Sequence, residues 1–499
     1  MCPYIADKTN NNSGHSQLFP IFASQIMSDT ITIRKGLDLP IGGAAELRLT
    51  DARSIATYAV KPTDFVGLTP RLLVEEGDVV AVGDALLCNK NDERIRFTSP
   101  VSGLVKAIVR GEKRKLLEVV VEADFKSAGS AGSDYKLSPT LTADDIKAAM
   151  LQCGLWTQLR QRPFGTVANP DDKPKAIFVS AFSSAPLAPD YDFVMQGKEE
   201  WLKKGLEALT QLTGGKVHIC FKPGQRLAKQ LPTEQLNNCQ LTTHYIKGPH
   251  PSGNIGTQIA HIDPINKGEV VWTMNLQDVA VLGELVATGV YNPEKIIAVA
   301  GPDIKHPHYY RVKAGACMAE IIKGQLLNSD YPKIDADDAA KANRVISGDI
   351  LSGTQIASDG FLGAYDDLVS ILPEGDYYDF MGWLMPGFKK FSFSRTFLSG
   401  ILSTLNTKLS TYKFDTNTHG DERPLVFTGN FERVFPFDIY PTQLIKACIV
   451  GDIELMENLG IYEVEPEDFA LCEFIDTSKT DIQAIIREAL EKLRKEALS

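Results

Sequence analysis

Across residues 175–221 the order of apolar and polar positions changes twice, and each change predicts a different element. KAIFVSAF (175–182) is a continuous apolar run, the pattern of a strand buried on both faces. EEWLKKGLEALTQLTGG (199–215) repeats its apolar residues at helical spacing, and Gly214-Gly215 is the expected stop. KVHICF (216–221) is again apolar and short. Strand, helix and strand at this spacing predict a doubly wound, Rossmann-like unit with a parallel sheet. At the far end, Ile482, Ile485, Ile486, Ala489, Leu490 and Leu493 share one face of a helix whose other faces carry Lys and Glu.

The stretches on either side of that unit have a different texture. Residues 31–121 read as short strands broken by Gly-Asp turns, with Gly77-Asp78 and Gly83-Asp84 six residues apart. Each Gly supplies a positive φ, and each Asp can bond nearby backbone. This rhythm resembles the barrel-sandwich hybrid of biotinyl and lipoyl domains. From about residue 293 the strings KIIAVAGP, HYYRVKAGA and RVISGDILSG, with a helix at MAEIIKGQ, fit a small β-grasp domain. The chain is therefore expected to be an α+β and α/β multidomain protein. The expected order is a disordered extension (1–26), a barrel-sandwich hybrid domain (27–124), a Rossmann-like α/β domain (137–290), a β-grasp domain (291–385) and a C-terminal helical domain (386–499). A Gly/Ser/Ala-rich linker is expected over 125–141, before a helix start at Thr142.

Composition trims the functional classes. The chain's 499 residues are enough for about three domains, and 52 Lys+Arg against 63 Asp+Glu give a net charge of −11. That balance argues against a nucleic-acid partner, which needs a clustered basic face. The longest mostly apolar stretch, 270–290, is interrupted by Asn275, Asp278 and Glu284, short of a membrane span. Residues 1–26 contain one short apolar run without a basic flank, so a signal peptide is not expected and Met27 is the expected natural start. Cysteines at 2, 88, 153, 220, 239, 317, 448 and 472 form no C-x-x-C pair. They read as reduced thiols, and no metal site is expected.

Two motifs invite sharper chemistry. Lys90 follows a Gly-Asp turn, as carrier lysines do, but at a shorter spacing and with N-K-N-D flanks, so a carrier role is not expected. GPHPSGNIGT is a glycine loop spaced G-x4-G-x2-G through Gly248, Gly253 and Gly256. Its two prolines remove N–H groups that would cradle a phosphate. It reads as a degenerate or repurposed nucleotide loop, although His250 and the Gly253–Gly256 turn retain the means to hold a polar headgroup.

Ten strings, in one order over nearly all of residues 30–495, resemble the NqrA family, one of the subunit types of the bacterial sodium-translocating NADH:quinone reductases. They are ITIRKGLDLPIGG, DFVGLTPRLLVEEGD, RFTSPVSGLV, GLWTQLRQRPF, AIFVSAFSSAPLAPD, GPHPSGNIGTQIAHIDP, NLQDVAVLGELVATG, RVISGDILSG, GNFERVFPFDIYPT and PEDFALCEF. The resemblance extends to the flavin subunit of respiratory complex I and the large soluble subunit of Rnf complexes. It implies a β-grasp domain of the SLBB type and a version of that module stripped of redox groups. An iron–sulfur cluster needs four thiolates, and the C-terminal region offers only Cys448 and Cys472.

The resemblance further implies a peripheral translocase subunit, inactive alone, on the cytoplasmic face of the bacterial inner membrane. Its partners would be the other members of a six-subunit complex, above all the flavin-bearing membrane subunit. Flavins, iron centres and the sodium path would lie in those partners, with no cofactor bound by this chain and quinone as substrate. A quinone needs flat apolar walls and donors near its carbonyl oxygens. Trp156 and Phe164 are expected as walls and Arg160 and Arg162 as donors, with Asp64, Phe65 and Leu68 contributed by DFVGL. No catalytic acid, base or nucleophile is singled out. A docking subunit without its own quinone site and a self-sufficient flavoprotein are the alternatives.

Overall fold

A computed structural model describes residues 30–124, 142–231, 240–327, 343–375, 377, 381–382, 384–388, 390–394, 397–399 and 411–497. The expected extension (1–26) and the whole of the expected linker (125–141) lie outside these.

The first two strands, β1 (Ile31–Thr32) and β2 (Glu46–Asp51), pair with distant sheets. The barrel proper begins at β3 (Thr57–Val60). It continues through β4 (Pro70–Leu72), β5 (Val79–Val80), β6 (Ala85–Asn89), β7 (Asp92–Thr98), β8 (Gly103–Arg110) and β9 (Leu116–Ala123). Two small antiparallel sheets, β3-β9-β8-β5 and β4-β6-β7, enclose Tyr58, Leu86, Leu87, Phe97, Val105, Val119 and Val121. The two Gly-Asp turns are built alike. Glu75 N donates to Asp78 Oδ2 at 2.8 Å and Ala81 N to Asp84 Oδ2 at 2.7 Å. Gly77 and Gly83 take φ of 96° and 88°, the left-handed region that favours glycine. Lys90 is exposed in the β6–β7 turn. With Asn89 opposite Asp92, it sits at the tip of that hairpin, closer to the second Gly-Asp turn than a carrier lysine would be.

The α/β unit adds β10 (Arg160–Arg162), β11 (Thr166–Val167), β12 (Ala176–Ser180), β13 (Lys216–Phe221), β14 (Leu241–Lys247) and β15 (Val271–Thr273). Their sheet runs β1-β14-β13-β12-β15-β10-β11, parallel from β1 to β15 and antiparallel at β10 and β11. The helices are α1 (Ala143–Cys153), α2 (Tyr191–Val194), α3 (Glu199–Leu212), α4 (Arg226–Gln230), α5 (Ile255–Ile262) and α6 (Leu276–Thr288). A capping box at Thr142 starts α1 where the sequence predicts. The end of α3 differs from expectation. Extended Thr213 (φ −128°, ψ 146°) breaks the helix, and no left-handed glycine follows. Gly215 is needed instead because a Cβ there would overlap the Lys175 carbonyl oxygen. Gly205 and Gly283 do similar work where α3 lies against α6: each faces a backbone carbonyl of the other helix.

Beyond these lie β16 (Glu294–Ala300), β17 (His308–Lys313), α7 (Ala319–Ile322), β18 (Asn343–Ser347), β19 (Thr354–Ile356) and β20 (Leu368–Pro373). The mixed sheet runs β19-β18-β20-β16-β17-β2, borrowing its edge strand from the N-terminal segment. The helix expected at MAEIIKGQ is one turn long. The C-terminal region is helical: α8 (Phe431–Val434), α9 (Pro441–Val450), α10 (Ile453–Asn458), α11 (Ala470–Ile475) and α12 (Ile482–Ala497). On α12, Ile482, Ile486, Ala489, Leu490 and Leu493 are buried and Ile485 is half-buried, so the predicted stripe is the one that packs.

Candidate functional site

Chain order moves from β12 outward through β13 to β14, then returns to place β15 on the other side of β12. Loops leaving the carboxyl ends of β12 and β15 therefore diverge, and in open parallel sheets the crevice between such loops is where ligands sit. Here the crevice is a cavity of about 190 Å³. A dry cavity of about 150 Å³ admits one benzene ring, so this one has room for a single ring. Ser180 ends β12 and Phe182 and Ser183 follow it, Thr273 ends β15 and Met274 and Asn275 follow it, and Asn254 and Ile255 open α5. Gln158, Arg160 and Tyr191 reach it from the same domain, Asp349 and Ser352 from the β-grasp sheet, and Glu467 from the C-terminal region.

Arg160 and Arg162 stand two residues apart on β10 and meet different surroundings. Arg160 is half-buried at the cavity, its guanidinium 5.0 Å from the centroid of the Tyr365 ring. Arg162 is 3 % exposed; it reaches Glu467 at 2.5 Å and Asp468 at 3.3 Å. Nearby, Arg487 donates to Glu465 and to the Phe164 carbonyl, both at 2.8 Å. Burial raises the affinity of Glu467 for a proton, but Arg162, Arg160 and Arg487 outweigh it and hold this carboxyl below its ordinary range. Asp468 goes the other way. Burial, with Glu467 and Glu465 adding to it against the pull of Arg162, pushes its carboxyl up to about 7.

The glycine loop is held by protein along much of its length, while Gly253, Asn254 and Ile255 also line the cavity. His250 N donates to Asp38 at 2.8 Å, Gly253 N to Ser184 Oγ at 2.8 Å, and Ser252 N and Asn254 N to the carbonyls of Pro249 and Pro251, each at 2.9 Å. The glycines answer to packing. A Cβ on Gly248 would overlap Ile33, one on Gly253 would overlap Ser184, and one on Gly256 would overlap the Asp468 carboxylate. His250 is 3 % exposed, 3.2 Å from Ser184 Oγ, and burial lowers its proton affinity.

The other sequence candidates scatter. Trp156 is in the core, donating to the Ala168 carbonyl at 2.8 Å and edge-on to Trp272. Phe164 takes φ 85° and packs on Tyr462 beside the C-terminal helices. Asp64 accepts from Ala364 N at 2.8 Å, and burial raises its pKa against the pull of Lys61. Phe65 lies between Phe97 and Tyr365, and Leu68 packs on the same core. Tyr365 thus joins Phe65 to Arg160, but of these seven residues Arg160 alone lines the cavity. Phe182, Met274, Tyr191, Asp349 and Glu467 were missed. AFSSAP after a buried strand was a signal for the first of them, because strand order decides which loops form a crevice. The described cysteines are free, and among the described residues no group of three or more His, Cys, Asp or Glu is placed to hold a metal.

Three family models match: NqrA N-terminal barrel-sandwich hybrid domain over residues 31–124, NqrA second alpha/beta domain over 141–291, and NQRA C-terminal domain over 296–358. The NqrA subunit of the Na(+)-translocating NADH-quinone reductase of Yersinia pseudotuberculosis is 37% identical over 469 residues, 93% of this chain and 100% of that protein. Its counterpart from Haemophilus influenzae is 38% identical over 471 residues, 93% of this chain and 100% of its own. Among solved structures, an NAD+-reducing [NiFe]-hydrogenase in the H2-reduced state matches at 12% identity and a TM-score of 0.35, covering 71% of this chain and 61% of that one. The ordered strings of the sequence, the three matched domains and the similarity to these relatives over 93% of this chain agree: the chain belongs to the NqrA family of the Na(+)-translocating NADH-quinone reductases.

Proposed function

We propose that this chain works as the quinone-side peripheral subunit of such a reductase and that the cavity between β12 and β15 takes the quinone headgroup. The observation that carries the reading is Arg160, a permanent cation steadied over Tyr365 at the wall of a ring-sized cavity. A quinone becomes a quinol by taking up two electrons and two protons. A guanidinium beside a carbonyl oxygen stabilises the negative charge that arrives with the electrons, more strongly in a crevice than in water. Phe182, Met274 and Ile255 supply apolar surface for the ring.

In this reading the electrons come from flavins and iron centres of partner subunits, the flavin-bearing membrane subunit among them, and the chain holds no prosthetic group and is inactive alone. The tightly packed glycines of the 248–256 loop support that, since the atoms lying against Gly248, Gly253 and Gly256 leave a pyrophosphate no close approach to the backbone there. Among the described residues no helix is long and apolar enough to cross a membrane. The chain would sit on the cytoplasmic face, held by its partners.

Titration of the purified full chain with a short-chain ubiquinone tests the site. Saturable binding is expected, weakened about tenfold or more in Arg160→Ala, because a charged donor contributes roughly 1.5–3 kcal/mol. A second reading, a docking subunit without its own quinone site, draws on Tyr440, Ile449 and Val450, apolar side chains left exposed around α9. If the purified chain shows no saturable binding, and an assembled Arg160→Ala complex keeps its quinone affinity, the docking reading stands and the quinone reading falls.

A further inference from the structure

Between Met381 and Leu398 the described residues leave several large apolar side chains exposed. Leu384, Met385 and Phe388 are 62%, 60% and 54% exposed, and Met381 and Leu398 are 43% and 42% exposed. Single exposed apolar residues are normal on a protein surface, but five within eighteen residues are a patch. Nor is the segment loosely hung. Leu384 N and Met385 N donate to the Met381 carbonyl, Leu398 N donates to the Pro386 carbonyl at 3.0 Å, and Ser399 Oγ donates to the Lys390 carbonyl. Gly387, at φ 61°, allows the Phe397 ring to lie against its backbone. At the base, Phe391 packs between Tyr412, Phe414 and Phe474, and the Arg433 guanidinium sits 4.4 Å from the Phe393 centroid. The segment is therefore anchored by one set of aromatic residues while another apolar set faces outward.

Charge says what the outer set meets. In a chain of net charge −11, residues 381–399 carry three basic residues (Lys389, Lys390, Arg395) and no acidic one. An exposed apolar stretch with only positive charge in its sequence matches the interfacial layer of an anionic bilayer, where apolar side chains enter the headgroup–acyl boundary and basic ones meet lipid phosphates. We propose that this segment is a lipid-contacting finger by which the chain adsorbs directly to anionic phospholipid, in addition to any hold its partner subunits provide. Neither the cavity nor its ligand enters this inference.

Flotation of the full chain with protein-free vesicles tests it. Vesicles of phosphatidylglycerol and phosphatidylethanolamine are expected to carry the chain reversibly, and at least fivefold better than phosphatidylcholine vesicles, since one basic residue near an anionic surface is worth about fivefold in partition. The triple variant Leu384→Ser/Met385→Ser/Phe388→Ser is expected to lose at least tenfold of that binding with an unchanged thermal midpoint. Lys390→Glu is expected to reduce the preference for anionic lipid while leaving binding to phosphatidylcholine as it was. Failure of the wild-type chain to float at low salt overturns the proposal. So does undiminished flotation of the triple variant, or retention by a membrane protein of the complex together with failure to bind bare vesicles.

Discussion

Two neighbouring regions on one face of β10 use the same kind of residue for opposite ends. At the cavity, Arg160 lies against an aromatic ring beside an open space. Two residues on, Arg162 is sealed between the α/β domain and the C-terminal region by Glu467 and Asp468, more than three hundred positions away along the chain. A side chain's chemistry sets what it can do; the partner that arrives from elsewhere decides whether it binds a ligand or joins two domains. A buried cation next to two carboxylates is a junction, and its removal leaves uncompensated charge.

The comparison breaks first at Arg162. Arg162→Ala should cost roughly 3–5 kcal/mol by stranding Asp468 and Glu467, read as a lower denaturant midpoint. A loss comparable to that of an exposed arginine would make the junction incidental. Gly256→Ala presses on the same pair from α5 and should cost about 1–3 kcal/mol, because its Cβ would overlap the Asp468 carboxylate and crowd the Arg162 guanidinium. Combined with Asp468→Ala it should be much better tolerated, which a double-mutant cycle measures.

Protons sharpen the contrast further. Asp468 has a folded pKa raised to about 7 from 3.8, so the folded state holds its proton more tightly than the unfolded chain does. Its contribution is therefore fully present below about pH 4 and is lost as pH rises towards 7. Glu467, held below its ordinary range, works in the opposite sense and only at lower pH, losing its contribution as pH falls through its folded value. Asp468→Asn should flatten the pH dependence of the thermal midpoint between pH 4 and 7 while leaving the acid limb intact. An unchanged slope would show that the carboxyl does not titrate in that window. The smallest effect belongs to Arg160→Ala, which should change stability by less than about 1 kcal/mol, since a partly solvated cation–π contact is worth little more. A larger loss would place Arg160 in the framework with Arg162.

Much of the fold could be read along the chain. The Gly-Asp turns of the barrel work through atoms three residues apart, and the buried run at 175–182 and the stripe on α12 are local patterns. The failures were local patterns overruled from a distance. Gly214-Gly215 looked like a helix stop, yet Gly215 answers to the Lys175 carbonyl. Trp156 looked like the wall of a binding slot, yet it fills the core beside Trp272. Phe182 and Glu467 stand in two of the family strings, yet nothing near them in the chain points to a shared site, because only the order of strands and the docking of the C-terminal region bring them to one cavity.

By itself, the sequence determined which segments become strands and helices, where the barrel turns fall and which family the chain resembles, because those depend on periodicity and on residues close together in the chain. The tertiary structure alone decided that Arg160 faces a cavity while Arg162 closes a junction, and that the glycine loop packs against an aspartate. Such assignments rest on contacts between segments hundreds of residues apart, whose meeting is set by how sheets and helices pack rather than by any neighbouring residue.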